Sequence, residues 1–202
     1  MKEELGKQNE TEITTFTVPF AFEAIKETNS SAKNSYPQTS KERILKQAIT
    51  FHLSGNISKA KEYYQYLINE GFHDHRVFSN YGVILKKLGN LKEAELSYRK
   101  SIKVKPDFAD AHSNLGMILK VFGNLQEAEI SLRTAIEHKP NFANAHYNLG
   151  TILNDLGNLT EAESCYRKAI EINPNFANAY SNLGIILRDL GKLQEAEETT
   201  VK

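Results

Sequence analysis

Apolar residues return at intervals of three and four over most of the chain. Between positions 109 and 142, Ala111, Leu115, Ile118, Leu119 and Phe122 share one face of a helix, the spacing of a helix with one buried side. Gly123 follows where a left-handed residue would stop that helix. Asn124 then offers an N-cap, and Glu127 stands three residues on, the spacing of a capping box. A second periodic stretch runs to His138, where Pro140 ends it, because proline has no amide N–H and restricts the residue before it. The pattern predicts two helices, about Ala111–Phe122 and Leu125–His138, joined by a tight turn.

The same punctuation recurs at a fixed period. Asn-Leu-Gly stands at Asn114, Asn148 and Asn182, each 34 residues after the last, and Asn80-Tyr81-Gly82 lies 34 before the first. Gly-Asn-Leu-x-Glu-Ala begins at Gly89, Gly123 and Gly157, and Pro106, Pro140 and Pro174 keep the beat. Residues 109–142 and 143–176 agree at 21 of 34 positions, so the period is an internal repeat. The frame gives units 41–74, 75–108, 109–142 and 143–176 and a partial unit 177–202. The first unit is degenerate, with Gly71-Phe72 where the proline would come. Residues 1–40 lie outside the repeat.

Small residues recur where helices have to approach. Gly82, Gly116, Gly150 and Gly184 fall mid-helix, where glycine costs about 1 kcal/mol relative to alanine, so the repetition asks for a packing reason. Ala94, Ala128, Ala162 and Ala196 are the expected facing partners, with Tyr98, Leu132 and Tyr166 filling the space beside them. No single helix pair can bury its own apolar face, so stability has to come from stacking neighbours.

The 34-residue period, the aromatic-x2-Leu-Gly pattern, the Gly-Asn turn, the Ala, the Tyr and the Pro together resemble the tetratricopeptide repeat, over about four-fifths of the chain. The usual Trp position holds Phe78, His112, His146 and Tyr180 instead. Among such proteins, the Asn-Leu-Gly spacing looks most like the superhelical repeats of O-linked N-acetylglucosamine transferases and related bacterial chains. The resemblance implies an all-α fold, a right-handed α-solenoid of antiparallel helix pairs with the first helix of each pair lining a concave groove. It also implies an extended peptide or a partner protein as the ligand. Groove positions carried over are Arg76, Asp110, Asn144 and Asn178; Ser79, Ser113, Tyr147 and Ser181; Asn80, Asn114, Asn148 and Asn182; Val83, Met117, Thr151 and Ile185; and Lys86, Lys120, Asn154 and Arg188.

The asparagine row is the sharpest candidate feature. Asparagine is a mediocre helix former that prefers caps and turns, yet one stands mid-helix in each unit. Its side chain carries an acceptor and a donor together and so matches one peptide unit of an extended chain. Successive helix pairs advance on the order of 10 Å, and an extended peptide rises about 3.3 Å per residue, so each Asn could meet every third residue. The alternative is that each amide bonds within the scaffold, or simply follows from repeat duplication. A clamp for a C-terminal carboxylate, another use of the fold, lacks its basic residues: Asn182, Ser and Tyr stand in their place.

Composition narrows the rest. Lys+Arg and Asp+Glu both number 25, which argues against a nucleic-acid partner, since such a protein needs a basic excess. No apolar run is long enough to cross a membrane, and Met1–Glu10 does not read as a secretory signal. The lone Cys165 excludes an internal disulfide and a Cys-based zinc site, and a reducing cytoplasm is the default setting. His112 and His146 read as packing residues, and His73-Asp74-His75 lacks a third ligand, so neither metal nor cofactor is expected. Glu127/Glu129 and Glu161/Glu163 read as capping and solvated-face residues, and no reaction centre can be assembled.

Both ends carry open questions. Residues 13–25 are apolar and aromatic around Pro19, and 28–40 read as a flexible linker. The aromatic stretch could add a strand to a partner, dock back on the first repeat, or trail as a tail. The last unit has no polar capping helix, which leaves self-association through that end, docking to another chain, or descent from a longer ancestor. The sequence therefore predicts a non-catalytic interaction scaffold. The alternative is the detached or truncated substrate-recognition arm of a glycosyl-, sulfo- or methyltransferase.

Overall fold

A computed structural model describes residues 40–200; the reading of residues 1–40 as a flexible segment and linker lies outside the described residues except at Ser40, which begins the first helix instead. Among the described residues ten helices follow in pairs: α1 (Ser40–Leu53) and α2 (Ile57–Asn69), α3 (His75–Lys87) and α4 (Leu91–Val104), α5 (Ala109–Val121) and α6 (Leu125–His138), α7 (Ala143–Asp155) and α8 (Leu159–Ile172), α9 (Ala177–Asp189) and α10 (Leu193–Thr200). Among the described residues there is no strand. Each helix packs on the one before it across a turn of a few residues, which makes the pairs antiparallel. Helix α6 has the predicted limits, while α5 starts two residues earlier than the apolar spacing indicated.

The turn between paired helices works differently from the capping box that the sequence suggests. After α5, Gly123 takes φ +78°. Its N–H donates to the Lys120 carbonyl and the Asn124 N–H to the Leu119 carbonyl, both at 2.9 Å, the two bonds of a Schellman ending. The Leu125 N–H then donates to the Gly123 carbonyl at 2.9 Å, closing an inverse γ-turn on Asn124 at φ −83°, ψ 62°. Backbone bonds thus set the turn, and Asn90, Asn124 and Asn158 make no side-chain cap. Of the four turn asparagines, Asn56 alone caps, accepting from the Lys59 N–H at 3.2 Å.

The mid-helix glycines do have a packing reason: the nearest facing group is the large residue, and at Gly116 the expected Ala128 also faces it, its carbonyl 3.1 Å from an added Cβ. A Cβ at Gly82 would fall 2.7 Å from Tyr98 Cε1, at Gly150 2.8 Å from Tyr166 Cε1, and at Gly116 2.8 Å from Leu132 Cγ. The side chain on the second helix lies flat on the bare backbone of the first. The apolar interior is accordingly a ribbon: one cluster runs from Val83 to Ala196 through Tyr98, Leu132 and Tyr166. Another gathers Leu45, Ile49, Tyr64 and Ile84 in the first pair and its neighbour, and Tyr81 packs against both.

An ion-pair ladder that the sequence reading missed ties the second helices together. Arg99 bonds Glu95 at 2.8 Å on its own helix and Glu127 at 2.7 Å on the next second helix. Arg133 repeats this with Glu129 and Glu161, and Arg167 with Glu163 and Glu195. Glu127 and Glu161, expected to cap, instead receive the preceding unit's arginine. Exposed pairs of this kind contribute about 0.2–1 kcal/mol each and are screened by salt. Arg133→Ala is expected to lower the urea-unfolding free energy by about 1 kcal/mol or less, with the loss shrinking at about 1 M salt. A loss that ignores salt would mean that the arginine acts through packing.

Candidate functional site

The bend of the array follows from which helices touch. The first helices meet directly, α3 with α5 and α5 with α7, while the second helices make no comparable contact with one another. First helices therefore line the inside of the curve, and long arginine–glutamate bridges span the wider spacing outside. Groove residues recur at 34-residue intervals along α3, α5, α7 and α9.

The asparagine row is not uniform along this inner face. Asn80 on α3 is buried, with its amide beside the Tyr64 hydroxyl but in no well-aligned bond. Asn182 on α9 donates its NH2 to the hydroxyls of Tyr147 at 3.2 Å and Tyr166 at 3.4 Å. In both cases the phenol stands 16 residues earlier, on the second helix of the preceding pair. Asn114 and Asn148 are half-buried and have no such bond among the described residues. The residue 16 before Asn148 is Leu132, which offers no hydroxyl. Asn182 is thus bonded within the scaffold, while Asn148, and Asn114 although Tyr98 stands 16 residues before it, make no such bond among the described residues.

The other groove positions divide in the same way. Ser79 and Ser113 are buried, Tyr147 is half-buried and Ser181 is exposed. Tyr147 joins an aromatic group with Phe176, centroids 4.9 Å apart, and Tyr166, 5.8 Å apart. Thr151 receives the Tyr166 hydroxyl at 3.4 Å. Tyr166 and Thr151 were not singled out from sequence for this role; the 16-residue offset shared by Gly150–Tyr166 and Tyr166–Asn182 is the signal that could have found them. Among the groove cations, Lys120 pairs with Asp155 at 3.1 Å, and burial pulls the Lys86 ammonium down to about 8. Arg188 is exposed. Arg76 is held between Asp74 at 2.6 Å and Glu42 at 2.9 Å, joining the first two units.

Groups that could have carried other chemistry are committed to the scaffold. His112 and His146 stand at the usual Trp position, and each places Nε2 on the carbonyl of the preceding turn proline, Pro106 at 2.7 Å and Pro140 at 2.9 Å. A carbonyl only accepts, so Nε2 carries the proton, as an indole nitrogen would. Asp74 caps α3 through the Arg76 N–H, and His73 Nδ1 donates to the Gly71 carbonyl at 2.7 Å. Among the described residues no three His, Cys, Asp or Glu side chains gather as a metal site. The buried Cys165 thiol is pushed up to about 11, chiefly by loss of solvent, away from the thiolate that reacts. No described helix is long and apolar enough to cross a membrane.

Tetratricopeptide-repeat family models match residues 82–120, 109–142, 143–176 and 165–198, together more than half of the 202 residues. The chain is a tetratricopeptide-repeat protein. Among solved structures, this tetratricopeptide chain is similar to a crystal structure of MamA, at 24% identity and TM-score 0.68 over 76% of this chain and 90% of that one. It is also similar to MamA from Desulfovibrio magneticus RS-1, at 19% identity and TM-score 0.71, covering 82% and 94% of the two chains. PilF of Pseudomonas aeruginosa gives 16% identity and TM-score 0.70, with 80% and 75% covered. At these identities the likeness concerns the fold. None of the curated proteins matches the sequence significantly. Domains of this family mediate protein–protein interactions, and the present chain has their helical scaffold.

Proposed function

We propose that the chain is a non-catalytic scaffold that holds an extended segment of a partner protein against α3, α5, α7 and α9. The observation that carries this reading is the inner row of side-chain amides, one per unit, of which Asn114 and Asn148 are half-buried and unengaged among the described residues. Each presents donor and acceptor together at the spacing of every third residue of an extended peptide. Tyr147 beside them supplies a flat apolar surface with a polar tip. Backbone recognition of this kind gives affinity with little demand on sequence. A reducing cytoplasmic setting belongs to the same reading and rests on the lone Cys165.

The deciding experiment pairs Asn114→Ala with Asn148→Ala in the full chain. Peptides selected from a random extended library on the unsubstituted protein are the probe. Loss of two amide contacts, each about 1 kcal/mol net, is expected to weaken binding about 10- to 30-fold, with thermal unfolding little changed. A sharp fall in stability with unaltered binding would make the row structural and end the proposal. The alternative, a recognition arm serving a group-transfer enzyme, is favoured by the same asparagine row, which resembles that of the sugar-transferring superhelices. It keeps this surface and adds a catalytic domain in trans, so activity appearing on addition of such a domain separates the two. Self-association is a further proposed use of the far end, where Arg167, Ile170, Tyr180, Leu183 and Glu195 line a cleft of about 390 Å³; equilibrium sedimentation reads it.

A further inference from the structure

The formal neutrality of the chain hides a division along the array. Residues 40–104 carry 12 Lys+Arg against 6 Asp+Glu, while residues 105–200 carry 8 against 13. On the outer face the boundary falls between α4 and α6. Helix α4 has Lys92, Arg99, Lys100 and Lys103 against Glu93 and Glu95, and α6 has Arg133 against Glu127, Glu129 and Glu137. Leu96 on α4 is 59% exposed and Ile130 on α6 is 65% exposed. The two are repeat-equivalent and so stand at the same height on their helices. The same position in α2, α8 and α10 holds Glu62, Ser164 and Glu198, so on this row aliphatic side chains occur only where the charge changes sign. Lys92, Leu96, Arg99 and Lys103 form one stripe, at steps of four and three. Because Arg99 reaches Glu127, that stripe looks outward and toward α6. Lys92, Lys100, Lys103 and Glu137 are exposed and enter no ion pair among the described residues.

We propose that this outer face docks a second copy of the chain, about a two-fold axis that lies parallel to α4 and α6 and between them. Such an axis lays α4 of each copy over α6 of the other and runs the two arrays in opposite directions. Leu96 then meets the other copy's Ile130 with no shift in height, because the repeat has already set both at one level. Lys103 meets Glu137, and Lys92 and Lys100 stand over Gln126 and Thr134 on the acidic helix. Each contact occurs twice, as in any isologous pair. Charge selects this axis over the other one available to the same face. A two-fold axis along the array would set α4 on α4, with lysines against the same lysines, an arrangement that like-charge repulsion suppresses. In the favoured arrangement the basic half of each array lies toward the acidic half of the other, which steers the encounter. Both outer faces are convex, so the contact is confined to α4 and α6 and belongs to the small, weak class of specific interfaces. The inner face takes no part in it.

Sedimentation equilibrium of the full chain is expected to show a monomer–dimer association at low salt that weakens about 10-fold or more at about 0.5 M salt. Leu96→Ala with Ile130→Ala, which strips the aliphatic contacts on both sides of the axis, should weaken it about 10-fold or more. Two charge variants test which helix meets which. Lys92→Glu, Lys100→Glu and Lys103→Glu together make α4 acidic, and Gln126→Lys with Glu137→Lys makes α6 basic. Each variant alone should stay monomeric, since like charges then face each other, whereas an equimolar mixture should recover the dimer. All the substituted positions are exposed, so the far-ultraviolet circular dichroism should not change. A chain that stays monomeric up to about 1 mM overturns the proposal, and so does a mixture that fails to recover the dimer. Association that survives the Leu96 and Ile130 substitutions belongs to another surface, such as the cleft between α8 and α10, and overturns this one as well.

Discussion

Gly82→Val will lower the stability of the array by about 2–3 kcal/mol, within the usual cost of overpacking a filled core. The added Cβ would sit 2.7 Å from Tyr98 Cε1 and 3.0 Å from Cδ1 and Cζ. Tyr98 is fully buried, in one cluster with Ala94, Leu85 and Leu115, so the ring has nowhere to turn. Valine regains only a few tenths of a kcal/mol of helix propensity over glycine, too little to offset the clash. The contrast is Gly89→Ala: Gly89 has φ +79° and nothing within 4 Å of an added Cβ, so its cost is backbone strain alone, about 1 kcal/mol. Urea unfolding followed by circular dichroism measures both. Tyr98→Ala alone should cost about 3–5 kcal/mol, by analogy with other aromatic truncations. Combined with Gly82→Val, the loss should fall short of the sum by more than about 1 kcal/mol, since valine then fills space the ring has left. A strictly additive pair, or a Gly82→Val cost below about 1 kcal/mol, would show that the two residues do not meet as described.

Local signals in the sequence located the helices well. Gly123 and Pro140 mark real ends because each acts through its own backbone, one by taking positive φ and the other by lacking an N–H. Asn124 and Glu127 were less readable. Their spacing is that of a capping box, but Gly123 already commits the neighbouring amides to a Schellman ending and an inverse γ-turn. Glu127 faces Arg99, 28 residues earlier, a distance that no single-helix rule covers. At Gly82 the glycine partner differs from the expected alanine for a related reason. Gly82 and Ala94 are both small, and smallness suggests mutual contact; the structure instead lays the Tyr98 ring into the gap. In the candidate site, the repeat fixed which residues share the inner face. It could not separate Asn148 from Asn182, because that difference depends on whether position 16 residues earlier is Leu132 or Tyr166. Near-identical repeats thus acquire different chemistry through one neighbour at a time.

Acid should weaken the first helix pair before it touches the rest, and His52 is the reason. Its ring is buried, edge-on to Tyr64 at 6.0 Å, with Nδ1 sealed and unbonded. Loss of solvent, with the charge of Lys87 adding to it, lowers its pKa from 6.5 to about 4. The unfolded chain protonates His52 near 6.5 while the folded chain keeps it neutral to about 4, so the unfolded state binds the extra proton between those values. Stability from this group is complete above pH 6.5 and drains away as the pH falls to about 4. The total is about 3 kcal/mol at most. His75 and His112, also lowered chiefly by burial, add losses of the same sign. Asp74 and Glu163, lowered by their arginine and lysine partners against the opposing effect of burial, yield only at more acid pH. Urea unfolding at about pH 7.5 and about pH 4.5 should reveal the drop, with amide exchange in 40–69 rising first. His52→Gln removes the titration and should cut the pH dependence by about half or more, whatever it does to stability at neutral pH. An unchanged pH slope in that variant would place the acid sensitivity elsewhere and leave His52 an ordinary core residue.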